Sequence, residues 1–431
     1  MHFLYNVLVI LLVMLAAPVF IFRFIKEEGF GERLRQSFGF IPKEDLVPVV
    51  NQDCIWLHAA SVGEIVAASP IVKEIRREFP DRRILISVVT SSGYAMAKRI
   101  IKDADSIIFF PLDLPYLSHS VVRRVKPKVF LLVETELWPN FLKAARHFAI
   151  PVMMVNGRIS DKSVERYHYM RSVLKSMLNT VDTFCMQSTI DAQYIIRLGA
   201  DVQRVVVTGN TKFDQTYTSV TPEEQQALCG EMGIHDSQPV LVAGSTHPGE
   251  EEMLFTAFQK VREYDPRVRL LIAPRDIIRS EEIIKMAANF GLKGDLRTRL
   301  AGQPGEECDI IVLDTIGELG KIYSIGVIIY VGGSLVPRGG HNILEPAAHG
   351  KPILVGPHMF NFKETYALFS GRQACVTVYD AESLGAKLLE LLSHEEQRLA
   401  MSRETLAIIE ENRGASRKSV MYLKELLGRI N

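Results

Sequence analysis

A glycine-rich loop in the second half of the chain has the composition of a nucleotide site. The apolar run 326–331 leads into residues 332–340, which contain two glycine pairs, and a short helix with Glu345 in its first turn is expected to follow. Glycines let a backbone approach a ligand closely, and a helix N-terminus offers N–H groups to a phosphate. Glu345 could accept hydrogen bonds from ribose hydroxyls. The pattern favours an enzyme that binds a nucleotide, although it also fits a tight turn.

Charged side chains follow several other predicted strands. Glu64 comes after the first strand at a predicted helix start, where it could take a proton from a hydroxyl or simply complement the helix dipole. Residues 134–140 hold two acids and a tryptophan, of which one acid is expected to work in a cleft and the other to cap or pair with a base. Lys212 could reach a phosphate or be an exposed hinge lysine, and Arg275 could clamp a phosphate or a base. In open α/β sheets, ligands bind at these carboxyl ends of strands.

The elements that must position these groups are alternating strands and helices. Helices are expected between the strands, for example at residues 140–148 and 164–178, and this βα rhythm predicts mostly parallel, doubly wound sheets. We expect two Rossmann-like domains joined near residues 209–239, and two helices in the final amphipathic segment 381–427. The predicted strands cover residues 54–58, 83–90, 106–110, 129–133, 151–155, 183–186, 205–208, 240–243, 268–273, 310–313, 326–331, 352–355 and 374–378.

Composition and the absence of familiar motifs narrow the function. Lys+Arg and Asp+Glu both number 50, so no overall charge points to nucleic acid. The five cysteines form no C-x-x-C pair, which argues against a disulfide framework or a structural zinc site and favours a reducing compartment. The sequence has no G-x-x-x-x-G-K-[ST], H-E-x-x-H or G-x-S-x-G motif, and its first βα turn lacks G-x-G-x-x-G.

The N-terminus is strongly apolar. Residues 3–22 carry no charge, and roughly 20 such residues are enough to span a bilayer as a helix. Arg23, Lys26, Arg33 and Arg35 follow, so the positive-inside rule places the rest of the chain in the cytoplasm. The alternative is a helix that lies in the membrane interface. A cleaved signal peptide would need a charged segment first, which the chain lacks.

Six segments in order resemble those of the 3-deoxy-D-manno-octulosonic acid (Kdo) transferase family. The resemblance covers essentially the whole chain, including the apolar N-terminus. It implies a GT-B glycosyltransferase, with two Rossmann-like domains and an interdomain cleft, that moves Kdo from CMP-Kdo to a tetraacylated lipid A precursor (lipid IVA) with inversion. The segments are residues 58–64 (HAASVGE), 134–140 (ETELWPN), 156–158 (NGR), 209–214 (GNTKFD), 273–275 (APR) and 332–346 (GGSLVPRGGHNILEP).

The resemblance also implies roles for individual residues. Glu64 would be the general base, and Glu134 and Lys212 would act at the transition state, with Glu136 as the alternative to Glu134. No metal or other cofactor is expected. The residues implied to bind CMP are Pro274, Arg275, Ile316, Gly317, Glu318, Asn342, Ile343, Leu344 and Glu345.

The same resemblance implies a domain plan and partners. The expected partners are CMP-Kdo, the lipid A precursor and membrane lipids, without nucleic acid, at the cytoplasmic side of the bacterial inner membrane. The expected parts are a membrane-anchor helix (1–25), an acceptor-binding domain (26–210), a linker (211–238), a CMP-Kdo-binding domain (239–405) and a C-terminal helix that returns to the first domain (406–431).

Three other functions remain open at this stage. A GT-B enzyme that uses another nucleotide sugar would share the glycine loop and Glu345. A sugar-nucleotide epimerase of the same fold would have no need of the apolar residues 3–22. A catalytically inactive, membrane-tethered scaffold would have no need of acids and bases at the strand ends.

Overall fold

The computed structural model describes residues 2–26, 30–159, 171–215, 217, 219–235, 238–300 and 308–429. The first part of the helix expected at 164–178 lies outside these residues. The chain divides into a first unit, Met1–Thr216 with Asn412–Asn431, and a second unit, Tyr217–Glu411.

Parallel strands alternate with helices in both units. The strands are β1 (Cys54–His58), β2 (Arg83–Val88), β3 (Ser106–Phe109), β4 (Val129–Val133), β5 (Val152–Gly157), β6 (Thr183–Met186), β7 (Val205–Val207), β8 (Val240–Thr246), β9 (Arg269–Pro274), β10 (Gly294–Leu296), β11 (Ile310–Val312), β12 (Ile328–Val331), β13 (Ile353–Val355) and β14 (Cys375–Thr377). The α-helices are α1 (His2–Lys26), α2 (Phe30–Ser37), α3 (Lys43–Leu46), α4 (Val62–Glu78), α5 (Ser91–Ile100), α6 (Pro115–Val125), α7 (Pro139–His147), α8 (Arg171–Leu178), α9 (Thr189–Leu198), α10 (Pro222–Glu231), α11 (Glu251–Tyr264), α12 (Ser280–Asn289), α13 (Arg297–Leu300), α14 (Leu319–Ile322), α15 (Leu344–Ala348), α16 (Lys363–Gly371), α17 (Ala381–Ser393), α18 (Glu395–Asn412) and α19 (Ala415–Gly428).

The sheet of the first unit has the strand order β3-β2-β1-β4-β5-β6-β7, and all of its described pairs are parallel. β1 and β4 are buried along their whole length, as expected for strands that helices cover on both faces. The last helix of the chain, α19, packs against α4. Asp214 holds its start by accepting hydrogen bonds from the backbone N–H groups of Gly414 at 2.6 Å and Ser416 at 2.5 Å.

The sheet of the second unit has the order β10-β11-β9-β8-β12-β13-β14 and is also parallel throughout its described pairs. The prediction of two parallel α/β domains is therefore confirmed. Two details of the prediction are wrong. β10 (Gly-Asp-Leu) was missed because it is too short and polar to stand out. The segment 381–427 contains three helices, because the chain breaks at His394 and again at Gly414, whose φ is +95°.

The N-terminal helix α1 is attached to the first unit by the two polar residues of its apolar run. The Tyr5 hydroxyl donates to Asp113 Oδ2 at 2.9 Å, and Asn140 Nδ2 donates to Asn6 Oδ1 at 2.9 Å. Within the described part of the chain, no helix meets the length and hydropathy that a membrane crossing requires.

Candidate active site

The first cluster of functional side chains lies where the strand order of the first sheet reverses. The chain winds from β1 toward β3 on one side and from β4 toward β7 on the other, so a crevice is expected outside the carboxyl ends of β1 and β4. Glu64 follows β1 and residues 134–138 follow β4. The sequence motifs around Glu64 and Glu134 therefore meet at the topological switch point.

Glu64 is held in the first turn of α4 by the loop that precedes it. Its Oε2 accepts a hydrogen bond from the Ala60 N–H, and its Oε1 accepts one from the Ser61 hydroxyl, both at 2.8 Å. The Ser61 oxygen in turn caps the helix by accepting from the Glu64 N–H at 3.4 Å. Only 8% of Glu64 is exposed. The carboxylate is thus fixed in orientation while remaining at the edge of the sheet.

The pKa of Glu64 is suited to proton transfer near neutral pH. Burial raises it from 4.5 to about 7, and the nearby negative charges of Glu136 and Glu134 act in the same direction. The hydrogen bonds from Ala60 and Ser61 oppose this rise without cancelling it. A carboxylate with such a pKa is a competent general base at physiological pH, because it is partly ionised and still basic enough to accept a proton.

The two acids after β4 differ in their surroundings. Glu134 has a left-handed backbone (φ +57°), which is uncommon for a residue other than glycine, and its N–H donates to the Val155 carbonyl at 3.0 Å. Burial raises the pKa of Glu136. Of the two, Glu136 has the larger influence on the pKa of Glu64. Strained backbone at a strand end is common in functional sites.

His58, at the end of β1, is completely buried behind these acids. Its Nδ1 lies 3.0 Å from Ser87 Oγ, whereas its Nε2 has no hydrogen-bond partner in the described part of the chain and lies 4.0 Å from Glu136 Oε2. Burial lowers the pKa of His58 to about 3, so the imidazole is neutral. The neutral ring of His58 therefore supplies no positive charge to offset the negative charge of Glu136.

Hydrogen bonds of Thr211 hold the segment that carries Lys212 close to the helix of Glu64. The Thr211 hydroxyl donates to the Ala67 carbonyl at 2.7 Å, and the Thr211 N–H donates to Asn156 Oδ1 at 3.0 Å. Ala67 lies three residues after Glu64 and thus on the same face of α4. The Lys212 N–H donates to Asn210 Oδ1 at 3.0 Å. The first unit therefore brings Glu64, the loop after β4 and the Lys212 segment to one region.

The second cluster occupies the corresponding switch point of the second sheet, between β8 and β12. The glycine loop follows β12, as expected, but its first N–H groups already have an acceptor within the protein. Glu250 is fully buried directly after β8. Its carboxylate accepts hydrogen bonds from the N–H groups of His247 (2.9 Å), Gly333 (2.7 Å), Ser334 (3.0 Å) and Leu335 (3.0 Å) and from the Tyr330 hydroxyl (2.6 Å).

This arrangement corrects the interpretation of the glycine loop. The backbone N–H groups of residues 333–335 are not available to a phosphate, because they already donate hydrogen bonds to the Glu250 carboxylate. Close packing and backbone conformation also explain why glycines occupy these positions. A Cβ on Gly332 would lie 2.5 Å from the Ser245 carbonyl oxygen, and Gly333, Gly339 and Gly340 have positive φ. The loop is a rigid support for the groups around it.

We expect Gly332→Ala to destabilise the second unit by about 1–3 kcal/mol, the usual cost of overpacking, since the new methyl group would meet backbone atoms that cannot move aside. Gly371→Ala is the matched control, because nothing lies within 4 Å of its Cβ position. Urea unfolding followed by far-ultraviolet circular dichroism is the measurement. Equal midpoints for the two variants would contradict the close packing at Gly332.

The other residues predicted to bind a nucleotide divide into two sets. Arg275 is exposed just after β9, and Asn342 Nδ2 donates to Glu345 Oε1 at 3.3 Å. Burial raises the pKa of Glu345, whereas the bond from Asn342 and the positive charge of Arg275 act against it. These three side chains are therefore brought together. Pro274 is the buried last residue of β9.

The remaining predicted residues are placed differently. Ile343 and Leu344 are buried in the core, so only their backbone groups could face a ligand. Ile316 is exposed after β11, and Gly317 beside it has a φ of +94°. Glu318 accepts a hydrogen bond from the Thr315 hydroxyl at 2.5 Å and lies 3.7 Å from Arg297. The contacts of Glu318 that place this loop are therefore with Thr315 and with Arg297 of α13.

Two parallel α/β units, each with polar groups at the switch point of its sheet, have the architecture of a GT-B-like fold. A model of the family described as 3-deoxy-D-manno-octulosonic-acid transferase (kdotransferase) matches residues 32–215. A 3-deoxy-D-manno-octulosonic acid transferase of Haemophilus influenzae is 30% identical over 406 residues, which cover 94% of each chain. One of Bordetella pertussis is 31% identical over 383 residues and 87% of each chain. The chain belongs to this family.

Among solved structures, the fold is similar to that of the UDP-GlcNAc 2-epimerase from Neisseria meningitidis bound to UDP-GlcNAc. The TM-score is 0.57, with 14% identity over 87% of this chain and all of the other. At so low an identity the similarity concerns the fold alone, and the site must decide the function.

Proposed function

We propose that the protein transfers Kdo from CMP-Kdo to a hydroxyl group of a tetraacylated lipid A precursor, lipid IVA, with inversion at the anomeric carbon, in lipopolysaccharide assembly. The observation that carries the proposal is Glu64, a fixed carboxylate at the switch point of the first sheet with a pKa of about 7. The curated relatives named above are described as transferases of this sugar.

In the proposed reaction Glu64 accepts the proton of the acceptor hydroxyl as its oxygen attacks the anomeric carbon of Kdo. The bond from that carbon to the phosphate oxygen breaks, and CMP leaves with the bonding electrons. Glu134 and Lys212 act at the transition state, where Lys212 supplies positive charge as negative charge develops on the phosphate. The fastening of Thr211 to α4 supports this role for the lysine.

The second unit binds the donor in this proposal. Arg275 meets the phosphate, and Asn342 and Glu345 contact the ribose or the phosphate. Pro274, the backbone of Ile343 and Leu344, and the loop 316–318 complete the nucleotide site. No metal is assigned a role, since one phosphate can be neutralised by basic side chains. Among the described residues, no group of three or more His, Cys, Asp and Glu side chains is arranged to hold a metal ion.

Two features of the first unit support a lipid acceptor. A mostly apolar cavity of about 100 Å³ lies beside α2, and its lining includes Phe30, Leu34, Phe110 and Trp138 together with Arg33 and Asp113. Helix α1 exposes large hydrophobic side chains, of which Leu15 is 76% exposed. Such a surface is costly in water and suits a membrane. We therefore propose that α1 attaches the protein to the cytoplasmic face of the bacterial inner membrane.

The pH dependence of transfer should report the ionisation of Glu64. A general base works only when deprotonated, so kcat/KM should rise with pH up to about 7 and level off above it. Glu136→Gln removes a negative charge that raises the pKa of Glu64, and the rising limb should move to lower pH. Glu282→Gln, on the exposed surface of the second unit, is the control. An unchanged limb in Glu136→Gln would show that Glu64 does not set the profile.

Assays with two donors separate this proposal from the other functions. The protein is incubated with lipid IVA and either CMP-Kdo or UDP-GlcNAc, and both the lipid and the nucleotide products are identified. We expect Kdo-modified lipid and CMP from the first donor, and neither sugar transfer nor epimerisation from the second. Transfer from UDP-GlcNAc, or its conversion to an epimer, would refute the donor assignment.

A further inference from the structure

Two histidines face each other at the switch point of the second unit. His247 follows β8, and His341 lies in the loop after β12. Their Nε2 atoms are 2.9 Å apart, and the planes of the two rings make an angle of only 3°. In the described part of the unit neither ring has another hydrogen-bond partner.

The short distance places one proton between the two rings. A contact of 2.9 Å between two imidazole nitrogens requires one N–H donor and one bare nitrogen, so a single proton lies between them. Burial lowers the pKa of both rings, that of His341 to about 4; the positive charges of nearby arginines act in the same direction, and the negative charge of Glu250 opposes them. The ligand-free pair is therefore neutral at pH 7. The charged groups that face it are Glu250, Arg275, Arg279 and Arg338.

These charges make the region suitable for an anion. Glu250 is occupied by loop N–H groups, and Arg279 lies 2.8 Å from Glu251. Arg275 and Arg338 are exposed, and neither forms a salt bridge with a described carboxylate. The glycine at position 333 leaves room for the two rings, because a Cβ there would lie 3.1 Å from His341 and 3.3 Å from His247. The histidine pair is thus partly exposed, and the side chains of Arg275 and Arg338 are available to bind an anion beside it.

We propose that His247 and His341 bind the phosphate of the nucleotide and take up one proton when they do so. The Nε2–H···Nε2 bond breaks, a proton enters from solvent, and each Nε2–H then donates to a phosphate oxygen. This inference rests on the proposed function for the identity of the nucleotide. It adds two phosphate-binding residues to Arg275 and makes binding of the leaving nucleotide depend on pH.

The chemistry of the reaction explains why such a proton is useful. The phosphate in the donor is a diester with one negative charge, whereas the departing CMP is a monoester with close to two charges at neutral pH. The acceptor's proton goes to Glu64, so the additional charge on the phosphate must be met locally. A histidine pair that gains a proton supplies one positive charge and two donors at that moment.

Isothermal titration of the full chain with CMP tests the proposal. Titrations at about pH 7.5, where the CMP phosphate is mostly a dianion, are run in buffers of different ionisation enthalpy, which reveals protons taken up. We expect net proton uptake by the wild type. In His247→Gln and His341→Gln the uptake should disappear, and CMP should bind on the order of 10-fold more weakly. Cytidine, which lacks the phosphate, should bind all forms equally, and His394→Gln, exposed at the end of α17, is the control.

Each other outcome overturns the inference in a recognisable way. If the wild type binds CMP without proton uptake, or if both variants bind CMP like the wild type, the histidines do not bind the phosphate and the proposed function stands. If the variants lose cytidine as well as CMP, the pair has a structural role. If the wild type binds neither CMP nor cytidine, the donor assignment fails together with the inference.

Discussion

Glu64→Gln should lower the rate of Kdo transfer by roughly 10²–10⁴-fold, the usual contribution of a general base, while CMP affinity stays unchanged. Gln has nearly the shape of Glu, and its oxygen and amide group can still pair with the Ala60 N–H and the Ser61 hydroxyl. It cannot accept the proton of the acceptor hydroxyl. The variant therefore separates the chemical role of Glu64 from its position in the first turn of α4. The measurements are the transfer rate and the CMP dissociation constant.

Glu78→Gln is the control for this experiment, because Glu78 lies exposed in the last turn of the same helix. It should transfer Kdo at the rate of the wild type. A Glu64→Gln variant that lost CMP affinity or unfolded at lower temperature would show instead that Glu64 is a structural cap of α4. A variant with full activity would exclude Glu64 as the base.

Glu250→Ala should destabilise the second unit by about 3–5 kcal/mol and abolish CMP binding. The substitution removes the acceptor of four backbone N–H groups and one hydroxyl in a buried environment. Each buried donor left without a partner costs about 1–3 kcal/mol, with some relaxation expected. The glycine loop and His247 would lose their common support. The free energy of unfolding and amide hydrogen exchange of residues 333–335 are the measurements.

The chain offers two internal controls for this prediction. Glu252→Ala removes an exposed acid two residues away on α11 and should change neither stability nor exchange. Both tryptophans, Trp56 and Trp138, lie in the first unit, so their fluorescence reports the unfolding of that unit alone. Rapid exchange of residues 333–335 in Glu250→Ala is the expected signature. Protection equal to that of the wild type would mean that Glu250 does not hold the loop.

The sequence predicts much of the fold because parallel strands buried on both faces are continuous apolar runs. β4, β5 and β12 stand out in this way. β10 does not, since Leu296 is the one large apolar residue among its three and the strand depends on pairing with β11. The number of helices in 381–427 was wrong, because the chain breaks at His394 and again at Gly414. Local signals predict elements better than they predict where elements end.

The part of the site that is formed by residues close together in the sequence could be predicted. Glu64 stands next to its own cap, Ser61, and follows an apolar strand, so position alone suggests a functional acid. Its raised pKa was not predictable, because the shift comes first from burial in the folded chain and then from the charge of Glu136, which follows a different strand.

Contacts between distant segments were missed for the same reason. Glu250 and Gly333 are 83 residues apart in the chain, and the two histidines of the pair are 94 residues apart. The sequence contains a glycine loop and a short acidic stretch, but nothing indicates that the acid occupies the loop's N–H groups. The sequence of the loop predicts that its backbone N–H groups bind a phosphate. The structure makes it a support that presents His341, Asn342 and Glu345.

The measurement that tests the central claim most directly is the mass of the lipid product. Purified full-length protein is incubated with CMP-Kdo and lipid IVA in detergent micelles, and the lipid is analysed by mass spectrometry beside a Glu64→Gln sample. We predict that the wild type increases the lipid mass by one or more Kdo residues with release of CMP, and that Glu64→Gln leaves nearly all of it unmodified. Unmodified lipid with the wild type, while CMP-Kdo stays intact, would contradict the account.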